Sequence, residues 1–505
     1  MSTQSSYRTV LRSTSIIGGS SFLNIVSGVG KMKAAALLLG PAGVGLIGMY
    51  QNLMQTAATI SALGFGTVGT RQVAAAQAMG GAVALTGTRR ALFWGTLGLA
   101  LLGSLIFWLL SGWIATYVLR APQFRHSVAW LSVGVALTVA SGSQAALLTG
   151  LRRIGDVARV QALSGILGAV LGVIAIFIWG TGGLVAMVLI APASALLIGH
   201  WYVSRLNLPA ADRPWSVAQI AAEWRAMAAL GAAFMLSGLM MTLGQLIVRS
   251  IVQRDLGPEA LGQFQASWAI GMTYLGFILT AMGTDYFPRL TALIPDSRAA
   301  TRMVNEQTEV ALLLCAPVAL AMMALAPWVI RLLYSANFSP AVAILRWQIL
   351  GDILKVASWP LGFVLVAAGA GKTFVLTESA AMGVFVVGAE FCVPMVGVTA
   401  AGMAFLAMYI GYLPLVFFLA RRRIGFSWTP AVIRFAIALG MGALIVDEAA
   451  RVSNQLSAEI GVPMAVGFGV YGLARMSQMA GLEGRLGALG KAIALFLSKR
   501  GGPGD

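Results

Sequence analysis

Charge is what this sequence has least of. Only 10% of its 505 residues are Asp, Glu, Lys or Arg, against 58% hydrophobic residues, whereas soluble domains carry about 25% charged residues. With a mean hydropathy of +0.85, such a chain does not close into a soluble globular enzyme. Cysteine is as scarce: Cys315 and Cys392 both lie inside apolar runs, which excludes a disulfide framework and a thiolate metal cluster. The two histidines, His126 and His200, are far apart and sit at segment ends, so they do not form a zinc site. Gly369-Ala370-Gly371-Lys372-Thr373 lacks the spacing of a phosphate-binding loop and joins two apolar segments, so ATP hydrolysis is not indicated. No polar stretch is long enough to form a catalytic domain outside a membrane.

What the sequence has instead is a succession of apolar runs of roughly 20 residues, each long enough to cross a ~30 Å hydrocarbon core as a helix. An all-α polytopic membrane protein follows. The runs fall at 14–39, 44–78, 91–118, 126–150, 157–179 and 183–203, then at 226–251, 260–290, 308–333, 341–369, 373–394 and 399–420, with two more at 429–450 and 459–477. The first, preceded by Arg8 and Arg12 and containing Lys31 and Lys33, is too long for a signal segment. It reads as the first membrane helix, with the N-terminus inside.

The net charge of +17 is spread over short loops and does not point to nucleic acid. Arg89 and Arg90, Arg152 and Arg153, Arg205 and Arg213, Arg298 and Arg302, Lys372 and Arg421-Arg422-Arg423 all fall on inward connections, as the positive-inside rule requires. The longest polar interruption, Asn207–Arg225, lies where a six-plus-six duplication needs a linker. The expected organisation is an N-lobe over 1–205, a cytoplasmic linker over 206–225 and a C-lobe over 226–424. Two additional helices over 425–480 and a basic tail over 481–505 complete it. In the tail, Leu482, Leu486, Leu489, Ile493 and Phe496 recur at helical spacing, the pattern of an interfacial amphipathic helix.

A repeat supports this division. Leu39-Gly40-Pro41-Ala42-Gly43-Val44-Gly45 is echoed by Leu256-Gly257-Pro258-Glu259-Ala260-Leu261-Gly262, and Gly69-Thr70-Arg71 by Gly283-Thr284-Asp285. Gly150-Leu151-Arg152-Arg153 is echoed by Gly369-Ala370-Gly371-Lys372. Six helices return the chain to its starting side, so the halves are expected to form two six-helix bundles in parallel orientation.

Charges inside a bilayer are costly and mark functional candidates; the plainer alternative is snorkelling to the headgroups. Lys33, Arg71 and Arg249 are cations so placed; Lys31, two residues from Lys33 and about 200° around the helix, cannot face the same cavity. Guanidinium and ammonium groups facing one vestibule would neutralise a diphosphate. Asn24, Tyr50, Gln51, Asn52, Gln55, Gln265, Trp268 and Tyr274 could hydrogen-bond or stack on sugars, or simply join helices to one another. Asp285 with Arg289 and Asp352 with Lys355 have the spacing of structural ion pairs. Alternatively, Asp285, Asp352, Lys355 and Glu378 serve coupling or gating, because a carboxylate in low dielectric can carry a proton.

Lys33, the glycine-rich turn 40–45, Gly69-Thr70-Arg71, Gly150-Leu151-Arg152, Arg249, the block Trp347-Gln348-Ile349-Leu350-Gly351-Asp352-Ile353-Leu354-Lys355 and Thr377-Glu378 together resemble a known family. It is the Wzx-type lipid-linked oligosaccharide flippases of the multidrug/oligosaccharidyl-lipid/polysaccharide exporter superfamily, and the resemblance covers about residues 10–424. It implies a V-shaped, MATE-like fold that moves an undecaprenyl-diphosphate oligosaccharide from the cytoplasmic to the periplasmic leaflet of the bacterial inner membrane by alternating access. No cofactor is implied beyond coupling to a proton or sodium gradient. The partners implied are the lipid-linked glycan, the bilayer, and a polysaccharide polymerase with its chain-length regulator. The last two helices depart from the family pattern and are similar to those of lipid II flippases. An ion-coupled multidrug or lipid II-type exporter is the alternative within the superfamily; a membrane-embedded polymerase or ligase would need a longer extracytoplasmic loop than any here.

Overall fold

The computed structural model describes residues 3–78, 82–206 and 217–480; the amphipathic pattern at 482–500 lies outside them. Among the described residues every regular element is helical, as expected for backbone that must satisfy its own hydrogen bonds in lipid. In order these are α1 (Thr3–Ser61), α2 (Phe65–Ala78), α3 (Ala82–Trp113), α4 (Arg125–Gly150), α5 (Ile154–Trp179), α6 (Gly183–Ser204) and α7 (Val217–Leu293). They continue with α8 (Ser297–Ala324), α9 (Ala326–Leu333), α10 (Ala341–Ala367), α11 (Gly371–Val396), α12 (Thr399–Ile424), α13 (Pro430–Val452) and α14 (Asn454–Ala480).

Ten stretches among the described residues are long and apolar enough to cross a membrane, or eleven with the bent helix Gly238–Thr280 plus Asp285–Leu293. Phe22–Ser61 and Ile154–Ser204 run for 40 and 51 residues, about 60 and 75 Å at 1.5 Å per residue, which is length for two crossings each. Both are broken near the middle. Gly40 inside α1 takes φ 65° and ψ −166°, and Gly180 between α5 and α6 takes φ 54°. Outward-facing Trp94, Trp108, Trp113, Trp130, Trp179 and Trp328 are where aromatic rings settle at membrane interfaces.

The chain divides into two compact units. The first comprises residues 1–265 together with Leu333–Asn337, and packs α5 on α6 and α1, and α4 on α3, α6 and α2. The second comprises residues 266–332 and 338–505. In it α10 lies against α12 and α8, α11 against α12, and α13 and α14 against each other and against α8.

The repeat read from the sequence is visible in backbone conformation. Gly257 inside α7 takes φ 83° and ψ −178°, the same left-handed, non-helical state as Gly40, and in both places a proline follows. The turns after α4 and α10 also match, bond for bond. The amides of Leu151, Arg152 and Arg153 donate to the carbonyls of Leu147, Thr149 and Leu148, and those of Ala368, Gly369 and Ala370 donate to Val364, Val366 and Leu365. This sets the register: Arg152, at φ 57°, corresponds to Gly369, at φ 71°, two residues away from the pairing that the glycines alone indicate. The apolar run 44–78 breaks at Leu63 and Gly64, with φ 44° and 70°, at the start of the glycine-rich stretch 64–69, where the helix is free to bend; Gly64 rests on the backbone of Gly231.

Both Leu-Gly-Pro kinks belong to the first unit, and they pack on each other. A Cβ at Gly45 would stand 2.7 Å from the amide nitrogen of Gly262 and 2.7 Å from the carbonyl oxygen of Pro258, and one at Gly262 would collide with the carbonyl of Pro41. The glycines are therefore required by backbone-to-backbone contact. Gly45→Val is expected to cost about 1–3 kcal/mol or more through overpacking, read as a lowered Tm of the purified protein in detergent. Gly98→Val, where a Cβ meets nothing within 4 Å, should leave the Tm unchanged.

Candidate substrate and coupling sites

In the first unit the cations have three different surroundings. Arg249, on α7 and 4% exposed, donates from Nε and Nη2 to Gln265 Oε1 at 3.2 and 3.1 Å, and from Nη1 to the Gln245 backbone carbonyl and Oε1, both at 3.3 Å. The guanidinium lies 5.8 Å from the Phe264 ring centroid. It is thus a cation held within the protein by amide oxygens, and Gly48 of α1 leaves the room that Gln265 occupies. Lys33 donates from Nζ to the carbonyl of Tyr334, in the short segment Leu333–Asn337, and Gln263 donates to the Asn337 carbonyl at 2.8 Å. Arg71, by contrast, is exposed on α2.

Four residues before Arg71 on the same face of α2, Thr67 lines a cavity of about 360 Å³. Its wall is rich in hydroxyl and amide groups: Gln55 and Thr59 from α1, Thr96 from α3, Thr138 and Ser143 from α4. The hydroxyl oxygen of Thr96 is buried without a hydrogen-bond partner. Such a wall can bind a polyhydroxylated group, and Gln55 is the glycan candidate that reaches it. Gln51 and Asn52 are half-buried one turn earlier, with Asn52 Oδ1 lacking a partner. Tyr50 is in the core at 1% exposure, and Asn24 abuts Gly165 of α5.

The second unit gathers the carboxylates. Asp352, fully buried on α10, accepts a hydrogen bond from Tyr274 Oη at 2.7 Å, while its other oxygen, Oδ1, is without a partner. Glu378 on α11 accepts from Tyr412 of α12. Lys355, one turn beyond Asp352, interacts electrostatically with both acids and lies 3.8 Å from Met272 Sδ. Asp352 therefore takes its hydrogen bond from a tyrosine and not from the lysine at i+3. Gln348, one turn before Asp352 and 3% exposed, has both side-chain polar atoms unpartnered, and both residues approach Gly271. Unsatisfied buried polar atoms are costly, and Gln348 and Asp352 together present three of them, groups that a proton, an ion or water can satisfy.

Two expected site residues stand apart from this network. Asp285 pairs with Arg289 at 2.8 Å, with side chains 72% and 63% exposed, a geometry worth little to stability. Trp268 is 7% exposed, stacked on Phe385 and edge-on to Phe405, so a sugar would have to displace protein to reach its faces. Gln348 and Tyr412 were not singled out as site residues by sequence reasoning. Tyr412 lies 34 residues from its partner, and only the packing of α11 on α12 joins them.

Broken helices, an internal repeat and charged groups buried among helices define a multi-pass membrane protein of transporter architecture. Comparison narrows this. A family described as polysaccharide biosynthesis protein matches residues 35–343, and the chain belongs to that family. It is 26% identical over 420 residues to the lipid III flippase of Escherichia coli (strain K12), covering 80% of this chain and 97% of the relative; the lipid III flippase of Shigella flexneri matches to the same extent. Among solved structures, the lipid II flippase MurJ in an inward closed conformation superposes with a TM-score of 0.67 at 10% identity, covering 90% of this chain and 97% of that one. An inward-facing multidrug resistance MATE family transporter of the MOP superfamily gives 0.65 at 15% identity, over 82% and 96%. The fold is that of the superfamily, and the two extra helices α13 and α14 follow a twelve-helix repeat.

Proposed function

We propose that this protein is a flippase that moves a polyprenyl-diphosphate-linked oligosaccharide, with undecaprenol as the lipid, from the cytoplasmic to the periplasmic leaflet of a bacterial inner membrane by alternating access. It serves cell-surface polysaccharide assembly, as a transporter and not as a catalyst. The observation that carries the reading is the segregation of chemistry. Among the candidate site residues, Lys33, Arg71 and Arg249 lie in the first unit with the hydroxyl- and amide-lined cavity around Gln55 and Thr96; Asp352 and Glu378, each with a tyrosine donor, lie in the second with Lys355. A diphosphate needs charge-assisted hydrogen bonds in place of its water, and the glycan needs hydroxyl partners. Arg71 is the head-group contact; Lys33 and Arg249, both engaged within the protein, would join it only by exchanging those contacts for phosphate oxygens. A polymerase and a chain-length regulator are the partners that would take the flipped product.

The coupling role goes to Asp352, with Lys355 and Glu378 as its electrostatic neighbours: a carboxylate released from lipid-like surroundings exchanges a proton or a cation as access alternates. The buried acids also support a second reading, an ion-coupled exporter of organic cations. The two part on substrate charge. In the native host, depletion of the protein should leave polyprenyl-diphosphate glycan shielded from a reagent confined to the periplasmic side. Unchanged labelling of that lipid, together with raised sensitivity to cationic drugs, would favour the exporter.

A further inference from the structure

At one end of the second unit, α8, α12, α13 and α14 enclose a cavity of about 910 Å³ that the transport reading does not use. It lies beside the C-terminus of α12, where Arg421, Arg422 and Arg423 close the last turn, so by the positive-inside rule it opens at the cytoplasmic face. Its floor is rigid. Asn305, 5% exposed, donates to the carbonyls of Thr301 and Ser427 at 2.9 and 3.0 Å and accepts from the amide of Thr429 at 2.8 Å. One side chain thereby fixes the loop between α12 and α13.

The cavity's charge is directional. Arg298 and Arg302 are four residues apart on one face of α8 and line its rim with Glu306; among the described residues neither arginine forms an ion pair. Deeper in, Arg475 of α14 holds Glu309 at 2.7 Å, which leaves the rim arginines as the groups able to meet an anion. Trp428, also lining the cavity, stacks on Phe417. Arg475 is shared with a second hollow of about 700 Å³, where Arg434 also stands and the rest of the wall is mainly apolar: Phe435 and Ala438 of α13 with Met464, Gly467 and Phe468 of α14. Phe435 stacks on Tyr471 and meets Phe468 edge-on. A cationic cavity at the membrane surface thus continues, through one arginine, into an apolar groove running between two membrane helices.

We propose that this is a binding site for an anionic phospholipid of the cytoplasmic leaflet, with its phosphodiester against Arg298 and Arg302 and one acyl chain in the α13/α14 groove. The complementarity is twofold. Arginine forks match phosphate oxygens, and basic pockets between membrane helices on the cytoplasmic side recognise anionic headgroups. The aromatic wall takes the chain. The inference is independent of what the protein transports.

The test uses the purified full chain, with retained lipid measured by native mass spectrometry after addition of dioleoylphosphatidylglycerol or dioleoylphosphatidylcholine. Phosphatidylglycerol should be preferred by about 10–30-fold, taking roughly 1 kcal/mol for each of two arginines. R298Q/R302Q should abolish the preference, whereas R422Q/R423Q, which removes equal charge at the same end outside the cavity, should retain it. Gly467→Phe, at a position where a Cβ meets nothing within 4 Å, should weaken retention by filling the groove, with the Tm of every variant checked. Equal retention of the two lipids, equal loss in the R422Q/R423Q control, or displacement by millimolar inorganic phosphate would overturn the proposal. So would full displacement of phosphatidylglycerol by equimolar polyprenyl diphosphate.

Discussion

Replacing Arg71 by alanine should reduce transbilayer movement of a polyprenyl-diphosphate glycan by about 30- to 1,000-fold, the effect of losing about 2–4 kcal/mol from a truncated charge pair, while the protein stays folded. The second half of that expectation comes from its surroundings. Arg71 is exposed, forms no ion pair among the described residues, and lies on α2 in line with Thr67 of the hydroxyl-lined cavity. Its removal strands no neighbour. Arg71→Lys keeps a point charge and loses the planar fork, so it should fall between the two. Arg249 is a less clean probe, because Arg249→Ala would leave Gln265 Oε1, in a residue 8% exposed, without its donor, at about 1–3 kcal/mol. Normal transport by Arg71→Ala in liposomes, with a wild-type Tm, would remove the head-group role.

The second large effect is expected at Asp352. Asp352→Asn keeps the size of the side chain and an oxygen to accept from Tyr274, now 2.7 Å away, and removes only the exchangeable charge. Transport should lose its response to an imposed proton or sodium gradient and fall to the gradient-free rate. Tyr274→Phe, which removes the donor and leaves the carboxylate, should weaken the response without abolishing it. Glu378→Gln should do likewise, because Tyr412 still has an acceptor there. A gradient response of wild-type size in Asp352→Asn would assign coupling elsewhere.

Much of the architecture was legible because its causes are local. Apolar runs near 20 residues mark the membrane helices, and Leu-Gly-Pro marks each kink, since glycine accepts at no steric cost the left-handed state that Gly40 and Gly257 adopt. Asp352 and Glu378 stood out because a carboxylate in an apolar run is rare. What stayed hidden depends on backbone states or partners that composition does not record. Arg152 occupies a left-handed position that its side chain does not announce, so the register of the repeat shifted by two residues. The break between α1 and α2, by contrast, falls at Leu63 and Gly64, at the edge of the glycine-rich stretch 64–69, whose composition favours a bend. The hydrogen bond of Lys33 to Tyr334 spans 301 residues, and the pairing of the two kinks in one unit arises from helix packing alone. Trp268 looked like a sugar platform, yet two phenylalanines distant in sequence cover it. Gln348 sat beside Asp352 in the sequence, but its significance lies in having no partner, which only packing reveals.

Movement of a lipid-linked, diphosphate-bearing glycan is the activity proposed for this chain. Its most direct test is the purified protein in sealed liposomes carrying a fluorescent polyprenyl-diphosphate oligosaccharide, with leaflet exposure followed by an impermeant quencher, with and without a proton or sodium gradient. Leaflet exchange well above that of protein-free liposomes, accelerated by a gradient and lost in Arg71→Ala, is the expected result. Exchange equal to protein-free liposomes, in vesicles that instead export a fluorescent organic cation, would contradict it.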